Sequence, residues 1–382
     1  MTSRLTSSLF AGTLLVGLSA CLPFATAPAQ ADERIDTSRG PVRVETLAAG
    51  LEHPWSIAVM PDGAFLVTER PGRLRHVSAE GSVSDPIAGL PAIAASGQGG
   101  LLDIALAPDF EASRVLFLTF AEPRGGGANT ALLRARLSSD ARALEDVAVI
   151  FRAEPGVSGG RHFGSRVVIA PDGESLFVTT GDRGSPDESQ NRGSHMGIAA
   201  RLLLDGTPHP DNPDFGPGAV PGIYAYGLRN TQGAAIHPET GALWSVDMGP
   251  RFGDEVNVIR AGANYGWPEV SDGREYSGIP IPDHATRPEF EAPVFVWDQS
   301  MAPAGIAFYT GDLFPEWQGD LLVGGLAGMV LARLSIEGER VVSEERIAMD
   351  RRIRDVAQAP DGAVLLLEDA PDGAILRLTP AD

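Results

Sequence analysis

The chain contains no lysine at all, and its thirty basic residues are all arginine. Fifty acidic residues outnumber them, which gives a formal net charge of −20 at pH 7. A protein this acidic repels phosphate backbones and anionic headgroups, so nucleic acid and anionic membranes are excluded as expected partners. We attribute the missing lysine to compositional bias or to adaptation to salt.

Cysteine is nearly absent too. The one cysteine, Cys21, lies close to the N-terminus, so the rest of the chain has no thiol for a disulfide or a thiolate zinc site. The seven histidines include no pair with HxxxH spacing, which also argues against zinc. Beyond the N-terminal segment, no apolar run is long enough to cross a bilayer.

The N-terminal segment, residues 1–31, is predicted to be a signal peptide. Arg4 is its only early charge, and the apolar run Leu9–Leu18 is too short for a stable membrane anchor. Two processing sites of this signal peptide remain possible. Ala29–Ala31 forms a small-x-small cleavage site, whereas the residues up to Cys21 resemble a bacterial lipobox. We therefore expect a periplasmic or secreted protein, either free or lipid-anchored through Cys21.

A recurring turn organises the remaining chain. Each copy has a proline and an acidic residue in the turn, followed by a β-rich run that ends in polar residues or glycine. The six copies, about 45 to 75 residues apart, begin at Val59, Leu106, Ile169, Ile236, Leu313 and Gln358. This spacing is typical of four-stranded propeller blades. Because glycine and proline interrupt every candidate helix, we predict an all-β fold: a single six-bladed β-propeller from Thr37 to Pro380.

Three motifs in residues 224–268 carry most of the functional information: GLRNTQG, DMGPRFGDEVN and GANYGWP. In this order they resemble the soluble pyrroloquinoline quinone (PQQ) dependent aldose sugar dehydrogenases, a glucose/sorbosone dehydrogenase-like family. The resemblance covers nearly all of the predicted propeller, and that family has the same six-bladed fold. It implies PQQ and calcium as cofactors.

His162 is the predicted catalytic base. It lies in a glycine-rich loop, GGRHFGSR, directly before a predicted strand. Oxidation of a hydroxyl needs a group that takes its proton, and imidazole does so near neutral pH. An ordinary surface histidine is the alternative. The surrounding motif resembles that of the family's catalytic base.

The resemblance assigns cofactor binding to Arg229, Asn230, Arg352 and Arg354, with Arg229 also stabilising charge during catalysis. Guanidinium groups suit PQQ, which carries three carboxylates and an ortho-quinone. The one-residue spacing of Arg352 and Arg354 on a strand puts both on one face. A solvated rim shared with Arg351 is the alternative for this pair.

The resemblance also implies two calcium ions. One would bridge the cofactor to the backbone carbonyls of Gly249 and Pro250, and the second, structural ion would bind Glu255 and the backbone of Tyr265. Carboxylates and free carbonyls suit this hard cation. The alternative for Glu255 is an exposed acidic turn.

Gln98 matches the family's substrate-side glutamine, and an amide can both donate to and accept from sugar hydroxyls. Trp297 and Tyr309 could stack on a pyranose ring or belong to the core of a blade. Besides a further lost lysine in the run HMGIAARL, the chain departs from the family at two positions that bear on the cofactor. Ala327 stands where the family has a cofactor lysine, and Met248 stands where it has histidine or glutamine.

We therefore expect PQQ- and calcium-dependent oxidation of aldose sugars at the anomeric carbon to lactones, with electrons passed to a periplasmic acceptor. Two alternatives remain open: a non-catalytic propeller that binds sugar or protein, and a calcium-dependent lactonase. The lactonase would need a cage of metal-binding side chains at the centre of the channel.

Overall fold

A computed structural model describes residues 1–2 and 33–381 of the chain. Most of the predicted signal peptide, including Cys21, lies outside these described residues. The helices in the described part are single turns. They are α1 (Phe110–Ser113) and three 3₁₀ turns, Pro186–Gln190, His284–Thr286 and Pro315–Trp317. None of these helices has the length and apolarity needed to cross a membrane.

The described strands form six antiparallel sheets. The first blade contains β3 (Pro54–Val59), β4 (Phe65–Glu69) and β5 (Arg73–Val77). The second contains β6 (Leu101–Leu106), β7 (Val115–Arg124), β8 (Gly127–Leu137) and β9 (Leu144–Arg152). The third contains β10 (Gly164–Ile169), β11 (Ser175–Thr180), β12 (Ile198–Leu203) and β13 (Ile223–Tyr226).

The fourth blade contains β14 (Thr231–Ile236), β15 (Leu243–Asp247), β16 (Glu255–Ile259) and β17 (Phe295–Val296). The fifth contains β18 (Pro303–Phe308), β19 (Leu321–Gly325), β20 (Val330–Glu337) and β21 (Arg340–Ala348). The sixth contains β22 (Ile353–Gln358), β23 (Val364–Glu368), β24 (Gly373–Pro380), β2 (Val42–Leu51) and β1 (Glu33–Ile35).

The first strand of each blade lies innermost. Strands β3, β6, β10, β14, β18 and β22 contact one another in this order, and β22 contacts β3 again, which closes the ring. The sixth blade joins the two ends of the chain, because β2 pairs antiparallel with β24 from Val42 opposite Pro380 to Leu51 opposite Gly373. The predicted six-bladed β-propeller is confirmed.

The recurring turn has one structural position throughout the molecule. Each of its six copies connects the innermost strand of a blade to the second strand; in the first blade, for example, Pro61–Gly63 separates β3 from β4.

Apolar residues of neighbouring blades pack against each other between the sheets. Trp297 and Tyr309 belong to this core, with exposures of 1% and 0%. Their polar atoms bond internally, to Glu344 and to the carbonyl of Gly362. The two aromatic rings are therefore blade core and not a sugar platform.

Polar residues fill the centre of the ring. The third residues of the six innermost strands are Ser56, Asp103, Arg166, Gly233, Gly305 and Asp355, and each strand has a register shift at or beside this position. Arg166 bonds to Asp103 at 2.8 Å and to Asp355 at 3.1 Å. The carboxylates of Asp103 and Asp355 are almost completely buried. We call these six residues the central layer.

Glycine is needed twice in the central layer because space is short. A Cβ atom on Gly233 would lie 1.9 Å from the carbonyl oxygen of Ala304. A Cβ atom on Gly305 would lie 1.8 Å from Asp355 Oδ1. Both distances are far below van der Waals contact, so the layer is close-packed as well as charged.

Candidate active site

A cavity of about 380 Å³ lies at one end of the channel, directly beside the central layer. Its lining comes from the residues that precede or begin the innermost strands and from those that follow the second strands. The polar and charged members are His53, Arg70, Gln98, Gln232, Arg352, Arg354 and Asp369. Three guanidinium groups thus face one carboxylate, so the cavity carries a net positive charge within a strongly acidic protein and suits an anionic ligand.

His162 and Asp182 occupy the corresponding positions of the third blade. His162 precedes β10, Asp182 follows β11, and His162 Nδ1 lies 2.6 Å from Asp182 Oδ1. The His162 backbone is left-handed, with φ of 54°, and its amide donates to Gln98 Oε1 at 2.6 Å. The residue is therefore held by Gln98 at its backbone and by Asp182 at its ring, and the Nδ1 proton is committed to the carboxylate. Nε2 is left with the lone pair that a general base requires.

The surroundings keep this pair in the right charge states. Burial lowers the pKa of His162, and the nearby Arg229 lowers it further, while Asp182 acts in the opposite direction. Burial, the largest influence on Asp182, would raise its pKa, but the hydrogen bond from His162 and the Gly184 amide lower it overall. Trp267 Nε1 also donates to Asp182 Oδ2, at 2.9 Å. At neutral pH the pair is a neutral imidazole beside a carboxylate.

Arg229 and Asn230 are buried next to this pair. The Arg229 carbonyl accepts from the Asp182 amide at 2.8 Å, and the backbone amides of both residues donate to Asp247 at 2.7 and 2.5 Å. Burial raises the pKa of Asp247 to about 6 despite these two bonds. Arg229 Nε is buried with no hydrogen-bond partner among the described residues.

The loop that follows β15 contains the predicted calcium carbonyls. Arg229 Nη1 donates to the carbonyls of Met248 and Gly249 at 2.8 and 2.9 Å. The loop is tight, because a Cβ atom on Gly249 would lie 2.3 Å from a backbone oxygen. Asp254 holds it by accepting from the Gly249 amide at 2.9 Å and from two amides of a neighbouring loop. Pro250 is buried in the same turn.

The structure also brings Arg352 and Arg354 together. Arg354 is buried and donates to Asp369 and to Gln232, both at 2.6 Å. Arg352 is half-exposed and lies 3.4 Å from Asp369. Arg354 is therefore not part of a solvated rim. Although burial alone would raise the pKa of Asp369, the charge of Arg354 and a 2.8 Å hydrogen bond with His53 hold it well below its usual range.

Ala327 is exposed, and the neighbouring Leu326 lines the cavity in its place. Arg352 Nη1 donates to the Leu326 carbonyl at 3.3 Å, so a guanidinium already reaches this turn. Met248 lines the cavity from the other side and accepts a hydrogen bond from Asn230 at its sulfur. Both departures from the family motif thus lie at or next to the cavity wall.

Glu255 is buried, as is Tyr265, and neither belongs to an exposed acidic turn. Burial and the nearby Asp247 raise the pKa of Glu255. The Tyr265 carbonyl accepts a hydrogen bond from His284 Nε2 at 3.2 Å, and His284 Nδ1 lies 3.1 Å from Asp272. Sequence reasoning did not associate His284 or Asp272 with this position.

Several site residues were missed from the sequence, chiefly Asp182, Asp369 and Asp247. They share one feature: each ends or follows the second strand of its blade, in the segments FVTTGDR, LLLED and WSVDMG. The polar ends of the repeats were therefore a usable signal. What the sequence did not show was which acidic residue faces which partner across the channel.

A histidine–carboxylate pair beside a guanidinium-lined cavity gives this propeller the groups for proton transfer next to an anionic ligand. Comparison with known proteins identifies the family to which the chain belongs. Residues 51–377 match the family model described as Glucose / Sorbosone dehydrogenase. The chain belongs to this family.

Three similar proteins and structures have informative descriptions. The aldose sugar dehydrogenase YliI of Escherichia coli is 42% identical over 349 residues, which cover 89% of this chain and 93% of that protein. The crystal structure of the apo-form of the soluble aldose sugar dehydrogenase from Escherichia coli superposes with a TM-score of 0.84 at 40% identity, covering 89% of this chain and 100% of the other. The PQQ-bound form of aldose sugar dehydrogenase from Streptomyces coelicolor gives a TM-score of 0.75 at 30% identity, covering 90% and 99%.

Proposed function

We propose that the protein is an oxidoreductase that oxidises aldose sugars with PQQ, at the anomeric carbon and with a lactone as product. One observation carries the proposal: the His162–Asp182 pair, at 2.6 Å, lies at the same end of the propeller as the cationic cavity. The relatives described as aldose sugar dehydrogenases support it, and so does the PQQ-bound form of one of them.

The residues of the cavity fit PQQ. Arg70, Arg352 and Arg354 offer guanidinium donors to its carboxylates, and Arg354 Nε is a buried donor with no partner among the described residues. Asp369 offsets part of this charge but leaves an excess of two guanidinium groups. When bound, PQQ supplies the ortho-quinone that accepts a hydride.

The chain itself contributes proton transfer and orientation. His162 Nε2 takes the proton from the anomeric hydroxyl, and Asp182 stabilises the ring as it becomes charged. Burial lowers the pKa of His162, and the nearby Arg229 adds a fixed positive charge that lowers it further and so favours the neutral ring before the reaction. Gln98 lines the cavity and fixes His162 through its amide, so we assign it to orienting the sugar beside the base.

We further propose that calcium binds at the carbonyls of Gly249 and Pro250 together with the cofactor. A backbone oxygen on a tightly held loop suits this cation. The Gly249 carbonyl already accepts from Arg229, which leaves its second lone pair for an ion. An ion held by these carbonyls would supply Lewis-acid polarisation of the quinone.

Export to the periplasm is also a proposal, supported by the N-terminal sequence, and a periplasmic electron acceptor follows from it.

The central layer argues against the lactonase alternative, because Arg166 lies between Asp103 and Asp355 where a metal cage would be needed. The binding-propeller alternative does not explain the buried and oriented His162–Asp182 pair.

The test is reconstitution. Purified protein is loaded with PQQ and calcium, and reduction of an artificial electron acceptor is followed as aldoses are added. We expect turnover in the wild type and a drop of about 10² to 10⁴ in kcat for His162→Gln with PQQ still bound. His76→Gln, on β5 and outside the cavity lining, is the matched control. Failure of the wild type to bind PQQ in the presence of calcium would favour the binding propeller.

A further inference from the structure

His53 is the only histidine among the described residues that line the cavity, and the mechanism proposed above does not use it. It directly precedes β3, and His53 Nδ1 lies 2.8 Å from Oδ1 of Asp369, which follows β23 of the neighbouring blade. The His53 amide donates to the Ala370 carbonyl at 2.8 Å, and its carbonyl accepts from the Arg70 amide at 3.0 Å. The residue is therefore held at its backbone and at its ring, and its side chain is still 28% exposed.

The arrangement of His53 repeats that of His162. All seven histidines lie in the described part of the chain, and only these two have a left-handed backbone, with φ of 47° and 54°. Each precedes an innermost strand, and each bonds through Nδ1 to an aspartate that follows a second strand. A left-handed conformation costs free energy in a residue other than glycine, and such residues cluster at functional sites. The repetition therefore indicates a second imidazole that faces a ligand.

The carboxylate of Asp369 determines which ring nitrogen of His53 is free. Although burial alone would raise the pKa of Asp369, Arg354 at 2.6 Å and His53 keep this group ionised at neutral pH. Facing a carboxylate, Nδ1 donates, and Nε2 has no hydrogen-bond partner among the described residues. Nε2 is therefore free to contact a ligand, as an acceptor or, in the protonated ring, as a second donor.

The other charged groups around the His53 ring keep their charge near neutral pH, since they are guanidinium ions and carboxylates. A second cavity of about 290 Å³ adjoins the first and shares His53 and Arg70 with it, so the ring can exchange protons with solvent. Behind this second cavity, Glu69 pairs with Arg73 at 2.7 Å. The charged residues that line the two cavities besides His53 are Glu52, Arg70, Arg352, Arg354 and Asp369. His53 is thus the lining residue whose charge can change between about pH 6 and pH 8.

We propose that His53 is a proton-carrying contact for the anionic ligand of this cavity: its Nε2 donates to the ligand, and the ring takes up a proton from solvent as the ligand binds. The inference rests on the proposed function, in which this ligand is PQQ. An opposite charge at hydrogen-bond distance favours the charged form of an imidazole. Carboxylates that arrive beside Nε2 therefore favour the doubly protonated ring, which adds one positive charge to those of the arginines.

The experiment measures PQQ binding by the full chain in the presence of calcium, without sugar or electron acceptor. Calorimetric titrations in two buffers of different ionisation enthalpy give the dissociation constant and the number of protons taken up. For the wild type we expect net proton uptake at about pH 7.5. We also expect the affinity to fall as the pH rises from about 6.5 to 8.5, by up to about tenfold per pH unit, because the free ring loses the proton that the complex requires.

Two variants distinguish a ligand contact from a structural role. Asparagine keeps a donor near the position of Nδ1 and has no atom at the position of Nε2, whereas glutamine reaches the position of Nε2 and lacks the Nδ1 donor. His53→Asn should weaken PQQ binding about 10- to 100-fold and abolish the proton uptake. His53→Gln should weaken binding less and abolish the uptake as well. The matched control His76→Asn, on β5 and outside both cavity linings, should behave like the wild type.

The outcomes separate this inference from the proposed function. PQQ binding by the wild type without proton uptake, or uptake that persists in His53→Asn, would overturn the inference alone. Weaker binding in His53→Gln but not in His53→Asn would overturn it too, because the ring would then act only by holding Asp369. A wild type that does not bind PQQ would refute the proposed function and the inference together. Thermal midpoints show whether each variant folds, and if His53→Asn does not fold, the proton count of the wild type still decides.

Discussion

Replacement of Asp182 by asparagine tests the assignment of the catalytic base without touching the base itself. The two side chains have nearly the same shape, but asparagine has one acceptor oxygen where aspartate has two. In the native protein, Oδ1 receives His162 Nδ1 and the Gly184 amide, and Oδ2 receives Trp267 Nε1. Either Trp267 Nε1, or both His162 Nδ1 and the Gly184 amide, must therefore face the new NH₂ group.

The size of the effect depends on which donor loses its acceptor. If His162 loses its acceptor, its Nδ1 must accept a hydrogen bond from the new NH₂ group. The ring proton then moves to Nε2, and the ring can no longer act as a base. The cost is then that of a general base, about 10² to 10⁴ in kcat. If Trp267 loses its acceptor instead, His162 keeps a hydrogen bond, but to a neutral amide. The lost charge assistance is worth about 1.5 to 3 kcal/mol, or about one to two decades in rate. We therefore expect kcat to fall at least about tenfold.

The pH profile separates this role from a purely structural one. Asp182 favours the charged form of His162, whereas burial and Arg229 disfavour it. Removing the carboxylate lowers the pKa of His162 further, and activity requires the neutral ring. The acid limb of kcat/KM should therefore move to lower pH in Asp182→Asn.

Initial rates with saturating PQQ and an artificial acceptor, measured from pH 4 to pH 9, give both quantities. PQQ affinity and the thermal midpoint should be determined in parallel, so that misfolding is recognised. A folded, PQQ-loaded Asp182→Asn variant with wild-type kcat and an unmoved acid limb would refute the role of the pair.

Three further predictions concern other parts of the site and the fold. PQQ should bind more weakly in the presence of a chelator, because the calcium ion proposed at the carbonyls of Gly249 and Pro250 would be held jointly with the cofactor; equal dissociation constants in calcium and in chelator would contradict this. Ala327→Lys should tighten PQQ by less than about tenfold, since Arg352 already reaches the adjacent Leu326 carbonyl; a gain of 10² or more, measured by titration, would show that Arg352 leaves that side of the cavity uncovered. Gly305→Ala should lower the free energy of unfolding by about 1 to 3 kcal/mol or more, because its Cβ would lie 1.8 Å from Asp355 Oδ1; an unchanged urea midpoint would contradict the close packing of the central layer.

The fold was predictable because it repeats a short-range signal. Each turn with a proline and an acidic residue connects the innermost strand of a blade to the second strand, so six copies predict six blades. His162 and Arg229 could be singled out for a similar reason, since each lies in a motif whose residues are neighbours in sequence. Local patterns of this kind need no knowledge of which distant segments meet.

The rest depends on contacts across the ring. Arg354 is bonded to Gln232, which is 122 residues away in the chain, and no local pattern predicts that distance. Asp355 follows Arg354 directly in the chain, yet the structure pairs Asp355 with Arg166 and Arg354 with Asp369. For Trp297 and Tyr309 the sequence left sugar stacking and blade core as alternatives, and the structure shows blade core. The sequence pattern of an aromatic residue in a strand is the same whether its ring faces a ligand or a neighbouring blade.

The pairing of β2 with β24 has a consequence for biogenesis. The sixth blade combines β2 with β24, so the ring cannot close until β24 has been synthesised. Until then β2 has an open edge, and open edges recruit other strands. A chain truncated before Gly373 would keep that edge and the edge of β23 permanently. Nascent and C-terminally truncated forms of this protein should therefore depend on chaperones far more than the finished ring does.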